Sequence, residues 1–226
     1  MRFMQTRRSS ARDTVHSVPA TPRRGRAALQ PSRERIHRAA LERFARYGYD
    51  AVSLQQIADD VGLHKSSLFH HYPSKSALLA AVFDTVVQGL IDRVRPLQTD
   101  DPPSAQTLLE VSLALAEHFC DEPQTARLLL QAMTAPDDSE MRRQATDGFE
   151  FYEIVAHYLD RARRANVIGR IKIGQAVPDV IGLTLLYPAI AHDLAEVVGK
   201  DPLSASARET RRAALERSIR ALLELD

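Results

Sequence analysis

The stretch SLQQIADDVGLHKSSLFHHY, residues 53–72, has the residue pattern of two short helices joined by a tight turn. Ser53, followed three residues later by Gln56, forms a capping box, in which the two side chains satisfy N–H groups that have no partner at a helix start. Gly62 comes where the chain must turn, because glycine adopts left-handed backbone angles without a Cβ penalty. Apolar residues before it recur at helical spacing and predict one buried face: Leu54, Ile57, Ala58 and Val61.

The second helix of this pair is predicted at about residues 64–71, and it buries Leu68 and, four residues later, Tyr72. A helix of about eight residues is roughly 12 Å long, which is comparable to the roughly 12 Å width of the B-DNA major groove. Size and chemistry therefore favour insertion into the groove, and the alternative is an ordinary helical hairpin with a solvated polar face. The outer face carries short or basic hydrogen-bond donors: His64, Lys65, Ser66, Ser67 and His70.

The flanking sequence completes a recognisable domain. A helix is predicted upstream, at about residues 33–47, and a fourth helix begins downstream near Ser74 and runs to about Arg95. The whole pattern resembles the N-terminal DNA-binding domain of the TetR (tetracycline-repressor) family over about residues 33–79, in uninterrupted register. The residues that carry the resemblance are Ala40, Phe44, Gly48, Tyr49, Ser53, Ile57, Ala58, Val61, Gly62, Leu63, Lys65, Ser67, Leu68, His71, Tyr72, Lys75 and Leu78.

The resemblance implies a sequence-specific transcriptional regulator, usually a repressor, which binds a pseudo-palindromic double-stranded DNA operator as a homodimer and is released by a small-molecule effector. Lys75 stands where the family places a phosphate contact. Phe69 replaces the family's usual tyrosine and lacks its hydroxyl, whereas Ser66 replaces a frequent glycine and adds a donor. The residues predicted to bind DNA are Ser53, Gln55, His64, Lys65, Ser66, Ser67, Phe69, His70 and Lys75.

The predicted fold class is all-α, with an N-terminal three-helix helix-turn-helix DNA-binding domain joined by a linking helix to a helical ligand-binding and dimerisation domain. The predicted boundaries are a disordered basic tail at residues 1–31, the DNA-binding domain at 32–79 and the second domain at 80–226, with the fourth helix bridging the two. Further helices are predicted at about 104–120, 124–134, 139–165, 175–198 and 204–224.

Charge is unevenly distributed along the chain, although the formal net charge is only +1. Residues 1–31 hold seven arginines and one aspartate, whereas residues 96–226 hold 14 basic and 21 acidic residues. This asymmetry favours an orientation with the N-terminal third toward a polyanion. For the tail itself, three interpretations remain: an arm that contacts DNA phosphates or the minor groove, a merely solvated segment, or a start codon assigned too early.

Composition and motifs argue against other functional classes. No apolar run approaches the roughly 20 residues needed to cross a bilayer, and the single cysteine, Cys120, excludes an intramolecular disulfide, so we expect a cytoplasmic protein without a membrane partner. The sequence has no HExxH, Cys-x-x-Cys, glycine-rich phosphate loop or nucleophile elbow. We therefore expect no enzyme activity, metal or cofactor. The rival interpretation is a ligand-independent or protein-contact adaptor that keeps the helix-turn-helix as a scaffold.

The helix predicted at 175–198 is apolar over more of its circumference than a one-sided surface helix requires. Pro188 should kink it. The family resemblance implies a dimer built from the last two helices as a four-helix bundle, and the alternative is that these residues form only the intramolecular core. The residues predicted at the dimer interface are Leu183, Leu186, Tyr187, Ile190, Leu194, Leu215, Ile219 and Leu222.

The middle helices combine apolar side chains with a few polar ones, a mixture suited to a ligand cavity. The family resemblance places an effector pocket here, and the alternative is that each residue is ordinary core. The sequence does not indicate which ligand would bind. The residues predicted to line the pocket are Phe119, Met133, Phe149, Tyr152 and His157.

Overall fold

The computed structural model describes the backbone of residues 29–145 and 149–225 and the side chains of residues 33–145 and 150–225. Within these ranges the chain forms eleven α-helices and no β-strand, so the all-α prediction is confirmed. The helices are α1 (Leu29–Tyr47), α2 (Leu54–Val61), α3 (Lys65–His71), α4 (Lys75–Val94), α5 (Ala105–Asp121), α6 (Pro123–Thr134), α7 (Glu140–Ala145), α8 (Phe149–Arg164), α9 (Ile173–Ala189), α10 (Ala191–Val198) and α11 (Ala205–Leu223).

The N-terminal boundary differs from the prediction. Helix α1 begins at Leu29 rather than near residue 33. Most of the tail predicted to be disordered, residues 1–28, lies outside the described residues.

The helix-turn-helix forms as its sequence predicts. The Ser53 hydroxyl accepts from the backbone N–H of Gln56, at 3.3 Å, and the side-chain oxygen of Gln56 accepts from the Ser53 N–H at 2.8 Å. Gly62 ends α2 in the left-handed conformation, with φ 68°. The Leu63 N–H then donates to the Ala58 carbonyl at 2.9 Å and closes the turn. Local hydrogen bonds therefore fix both ends of α2.

An apolar cluster holds α1, α2, α3 and the start of α4 together. Its members have no solvent exposure, which is the state in which an apolar side chain stabilises a fold most. The cluster is continuous with the core of the remaining helices, and the predicted boundary near residue 79 falls inside α4, so the division into two domains stays a prediction. The fully buried residues of the N-terminal part are Ile36, Ala40, Phe44, Ile57, Ala58, Leu68, Leu78 and Leu79.

Two of the predicted long helices are divided. The one predicted at 139–165 forms α7 and α8, and residues 146–148 between them lie outside the described residues. The one predicted at 175–198 forms α9 and α10, which meet at Ile190 with a bend of 60°. Pro188, two residues before the bend, has no N–H for the carbonyl of Thr184, and its ring crowds that carbonyl. The kink predicted at Pro188 is therefore present.

His118 is a half-buried titratable group on α5. Burial, reinforced by the positive charge of Arg93, lowers the pKa of His118 to about 4, while Asp121 opposes the shift. The imidazole is therefore neutral in the folded protein at pH values where it would already be protonated in the unfolded chain.

We expect the free energy of unfolding to fall as the pH is lowered from about 6.5, the pKa of an unfolded histidine, toward the folded value of about 4. Across that window the unfolded imidazole takes up a proton that the folded one resists. His118→Gln should reduce the slope of stability against pH, measured by urea denaturation followed by circular dichroism.

His157→Gln is the matched control, because His157 is exposed on α8 and its replacement should keep the wild-type slope. Equal slopes for the wild type and His118→Gln would contradict the assignment.

Candidate nucleic-acid interface and ligand cavity

Helix α3 presents a donor-rich face to solvent. All the residues predicted to bind DNA are exposed except Lys75, which is half-buried. Leu68 turns the opposite side of α3 into the core, with no exposure. Residues 61–83 include no acidic residue, so α3 itself and the turns on either side of it carry no carboxylate that would repel phosphate. The arrangement suits contact with a polyanion.

Phe69 and Lys65 form a pair on this face. The Lys65 ammonium lies 5.5 Å from the centroid of the Phe69 ring, one helical turn away. The Phe69 side chain is 41% exposed, which is unusual for a phenylalanine. The ring therefore orients the lysine by a cation–π contact and offers an apolar surface beside it.

A hydrogen-bond chain anchors the C-terminal end of α3 to α1 and α4. Nε2 of His37 lies 2.6 Å from the Tyr72 hydroxyl, and Nδ1 lies 3.0 Å from Oγ1 of Thr85. Thr85 gives its own proton to the Ala81 carbonyl at 2.9 Å. The network therefore assigns the imidazole proton to Nδ1, so Nε2 accepts from Tyr72. Burial and the Arg33 charge lower the pKa of His37, which favours this neutral form, while Asp84 opposes the shift.

Lys75 is held inside the domain. Its ammonium donates to the carbonyls of Tyr49, at 2.9 Å, and Asp50, at 3.4 Å, and lies 4.1 Å from the centroid of the Tyr49 ring. These contacts tie the loop between α1 and α2 to the first turn of α4. The phosphate contact stays a prediction, and the structure adds a positioning role that sequence reasoning missed, because a lysine at a helix start gives no sign of a partner 25 residues away.

Helix α1 also fixes the orientation of α2. Arg43 and Asp60 form a two-point ion pair, with Nη2 2.7 Å from Oδ1. Arg35 donates to the Val61 carbonyl at 3.0 Å. The hydrogen bond from Arg43 lowers the pKa of Asp60. Because the pair is partly exposed, its contribution to stability is small, and its main effect is to fix the orientation of α2 relative to α1.

A cavity of about 440 Å³ lies between α4, α5, α6, α7, α8, α9 and α11. Its described lining is apolar apart from four side chains, and it contains three of the residues predicted there: Phe119, Met133 and Tyr152. The side chain of Phe149 lies outside the described residues. The four lining residues with polar side chains are Ser112, Arg142, Tyr152 and Thr184.

The structure corrects the prediction for His157. This residue is exposed and does not line the cavity. Val155 and Leu159 of the same helix do line it. His157 is two residues from each of them, and because each residue turns the helix by about 100°, its side chain lies on the opposite face. Sequence reasoning missed Ser112 and Thr184, although each is a lone hydroxyl within an apolar helical run, and that pattern could have identified them.

The predicted dimer residues divide into two groups. Leu215 and Ile219 are 1% and 0% exposed within a single chain, so they belong to the intramolecular core and their assignment to the interface was wrong. Helix α11 packs on α5 and α9 and turns this side inward. Leu194 is half-buried on α10, outside the surface groove between α9 and α11.

The other group borders a surface groove between α9 and α11. Arg211 reaches across it, donating to the Leu183 carbonyl at 2.8 Å and lying 4.9 Å from the centroid of the Tyr187 ring. Leu186 is 48% exposed in this groove. The predicted residues that line the groove are Leu183, Leu186, Tyr187, Ile190 and Leu222.

Two features of the described residues bear on other classes of site. Among them, no group of three or more His, Cys, Asp or Glu side chains is arranged to hold a metal ion. No single helix in the described ranges is long and apolar enough to cross a membrane, and the bent pair α9–α10 meets that test only when its two parts are combined.

Residues 36–82 match the family model described as bacterial regulatory proteins, tetR family. The HTH-type transcriptional regulator RutR of Escherichia coli K12 is 32% identical over 122 residues, which are 54% of this chain and 57% of RutR. The HTH-type transcriptional activator FasR of Mycolicibacterium smegmatis is 30% identical over 135 residues, 58% of this chain and 56% of FasR. The chain thus spans about half the length of the curated relatives it matches, and these relatives are named as regulators rather than enzymes.

Solved structures share the fold over more of the chain. GusR of Salmonella enterica superposes with a TM-score of 0.61 at 19% identity and covers 86% of this chain and 96% of its own. The TetR family transcriptional regulator PfmR of Thermus thermophilus gives a TM-score of 0.63 at 20% identity, with the same two coverages. The match to the tetR family model lies in the helix-turn-helix at residues 36–82, and the rest of the described chain shares the all-helical fold of these solved structures.

Proposed function

We propose that the protein is a transcriptional regulator that binds a pseudo-palindromic DNA operator as a homodimer and is released when a small molecule fills the 440 Å³ cavity. The observation that carries the proposal is α3, a short helix with an exposed donor-rich face, a buried Leu68 and a C-terminal end fixed through Tyr72. A rigid helix of this length fits the major groove.

The side chains of α3 match the chemistry of base edges. Lys65 can donate to the O6 and N7 acceptors of guanine, and the serine hydroxyls can donate or accept. The exposed ring of Phe69 suits a thymine methyl group. Phosphate contacts would position the helix, and these side chains would supply the sequence preference.

Dimerisation would set the spacing of two α3 helices. A two-fold symmetric protein reads two half-sites about 34 Å apart, or a multiple of one helical turn. The groove between α9 and α11 contains the partly exposed Leu186 and Tyr187. This exposed apolar surface is the observation that supports the proposal of a partner copy. A two-fold contact of this surface with itself would bury it in both copies.

Two hydrogen bonds support release by a ligand. The side-chain amide of Gln131, on the cavity-lining α6, donates to the Ala45 carbonyl of α1 at 2.8 Å. Glu140 of α7 accepts from the Ser76 hydroxyl in the first turn of α4. A ligand that displaces α6 or α7 would therefore displace the helices that position α3. A typical coupling of about 1–3 kcal/mol would weaken DNA binding roughly 5- to 150-fold.

Selection of genomic fragments from the source organism with the purified protein, followed by footprinting at a defined salt concentration, tests the proposal. We expect a protected site with two symmetric halves, because a dimer presents two copies of α3. Only salt-sensitive background binding, with no enriched sequence, would overturn DNA recognition and leave the protein-contact adaptor as the explanation.

Lys65→Ala and Lys75→Ala should have different effects on operator binding. Lys65→Ala should lower affinity and relax base preference, since a good contact to a base edge contributes about 1–3 kcal/mol of discrimination. Lys75→Ala should weaken all sequences about equally, reduce the salt slope by about one unit, and lower the melting temperature, because it also removes the contacts to Tyr49 and Asp50. Fluorescence anisotropy against operator and scrambled DNA over a series of salt concentrations, with thermal melts, measures these four effects.

The two lysines serve as controls for each other. Identical changes in base preference for both variants would contradict this assignment of roles.

Leu186→Glu should convert a dimer to a monomer, since it places a carboxylate in the groove that a second copy would cover. Light scattering after size-exclusion chromatography measures the mass, and circular dichroism should show unchanged helix content. Operator affinity should fall with the dimer, because a single half-site is bound weakly.

Val197→Glu is the matched control, because Val197 is 85% exposed on α10 and does not line the groove. This variant should stay dimeric. A dimeric Leu186→Glu protein would rule out the groove as the interface.

A further inference from the structure

We propose that the cavity binds an amphipathic organic acid, with an extended apolar body inside the cavity and a single anionic head against Arg142. This inference rests on the proposed function only in taking that acid to be the effector. The binding itself can be measured without DNA.

The interior of the cavity accepts hydrocarbon. Its walls are aliphatic and aromatic side chains from seven helices, including Phe83, Val87, Leu115, Phe119 and Leu185. A volume of about 440 Å³ lies within the roughly 300–1,000 Å³ range of small-molecule sites. Burying an apolar chain here removes it from water without leaving a polar group of the ligand unsatisfied.

The charge pattern of the lining selects the sign of the head group. Among the described lining residues, Arg142 is the only one with a formal charge, and none is acidic. A carboxylate would be attracted to this guanidinium, whereas an ammonium group would face a like charge and would find no acidic side chain in the described lining. An uncharged head would forgo the charge-assisted hydrogen bonds that Arg forms with carboxylates.

The position of Arg142 favours entry of the ligand with its tail first. The Arg142 side chain is 43% exposed, so it lies where the cavity meets solvent and the charged head can keep part of its hydration. Its Nη1 donates to the Met133 carbonyl at 3.1 Å, and its Nε lies 3.6 Å from Oδ1 of Asp137. The Asp137 side chain is 98% exposed, so a ligand carboxylate can replace it while Asp137 returns to water at little cost.

The other polar lining groups are neutral and cannot balance a charge. Ser112 and Thr184 are 5% and 3% exposed. The Thr184 hydroxyl donates to the carbonyls of Val180 and Ile181, which leaves it only as an acceptor for a ligand. A carboxylate held there would have no cation, whereas an alkyl chain passing these hydroxyls meets no charge.

The same short helix connects the head-group site to the DNA-binding part. Arg142 lies in α7 two residues after Glu140, whose carboxylate accepts from Ser76 at the start of α4. Hydrogen bonds from Ser76, Gln144 and Arg143 lower the pKa of Glu140 to about 2, so it stays an acceptor at neutral pH. An anion that draws Arg142 toward the cavity would act on the helix that makes this contact.

Isothermal titration calorimetry with decanoate, 1-decanol and decylamine, each below its aggregation concentration, tests the inference on the full chain. The three ligands share an apolar body and differ in the charge of the head. We expect one site per chain and a dissociation constant for decanoate about tenfold below that of decanol, with decylamine weakest. Equal binding of decanoate and decanol, or no binding of any of the three, would overturn the inference.

Two substitutions test the role of Arg142. Arg142→Gln should remove the preference for decanoate over decanol, and Arg142→Lys should keep part of it because the charge remains. Arg164→Gln is the matched control, because Arg164 is exposed on α8 outside the cavity and its loss should leave the preference unchanged. A full decanoate preference in Arg142→Gln would exclude this residue as the partner of the head group.

Operator binding measured in parallel separates the two levels of the hypothesis. A protein that binds its operator but shows no preference for decanoate would refute the ligand class and leave the proposed function intact. A protein that prefers decanoate but enriches no DNA sequence would refute the proposed function and keep the acid site.

Discussion

The burial of the apolar stripe along α4 is the constraint on which both candidate sites depend. Leu78 and Leu79, near its start, are fully buried in the cluster that holds the helix-turn-helix. Phe83, Val87 and Leu90, one to three turns later, line the cavity. Because one continuous helix buries both groups, a ligand of the proposed kind that displaced its cavity end would change the packing at its other end. A packed core shifts between discrete arrangements rather than deforming smoothly, which suits such a helix to transmit a ligand signal.

Polar contacts then determine how the helices of the helix-turn-helix are oriented on this apolar cluster. The His37 chain joins α1, Tyr72 and α4, and Lys75 ties the loop after α1 to the start of α4. None of these contacts is a large source of stability alone, since a net hydrogen bond contributes about 0.5–1.5 kcal/mol. Their main effect is on the relative orientation of the helices, because apolar packing permits small rotations that hydrogen bonds between fixed groups do not permit. Helix α3 is therefore fixed at several points, while its donor-rich face stays exposed to solvent.

The cavity and the groove show why apolar residues with similar spacing have different environments. Leu186 and Leu215 were both predicted at the dimer interface that the family resemblance implies, yet the first is 48% exposed and the second 1%. His157 and Tyr152 were both predicted to line the cavity, but only Tyr152 does. In each case the residue lies on a helix, as predicted, but the face that meets a neighbouring helix was not predicted. The direction from which a neighbour approaches depends on the connections and on the bend after Pro188.

The sequence by itself determined the parts of this protein that depend on neighbours along the chain. The capping box of Ser53, the left-handed turn at Gly62, the kink at Pro188 and the exposed donors of α3 all follow from residues within a few positions of one another. Only the tertiary structure decided which helix faces enclose the cavity and that Arg142 is the charged residue of its described lining. It also decided that Lys75 and His37 act as positioning groups. The physical reason is that these features arise from contacts between residues distant in sequence. Local propensity and periodicity specify a helix and its apolar face, but the packing of several such faces against one another specifies the partners.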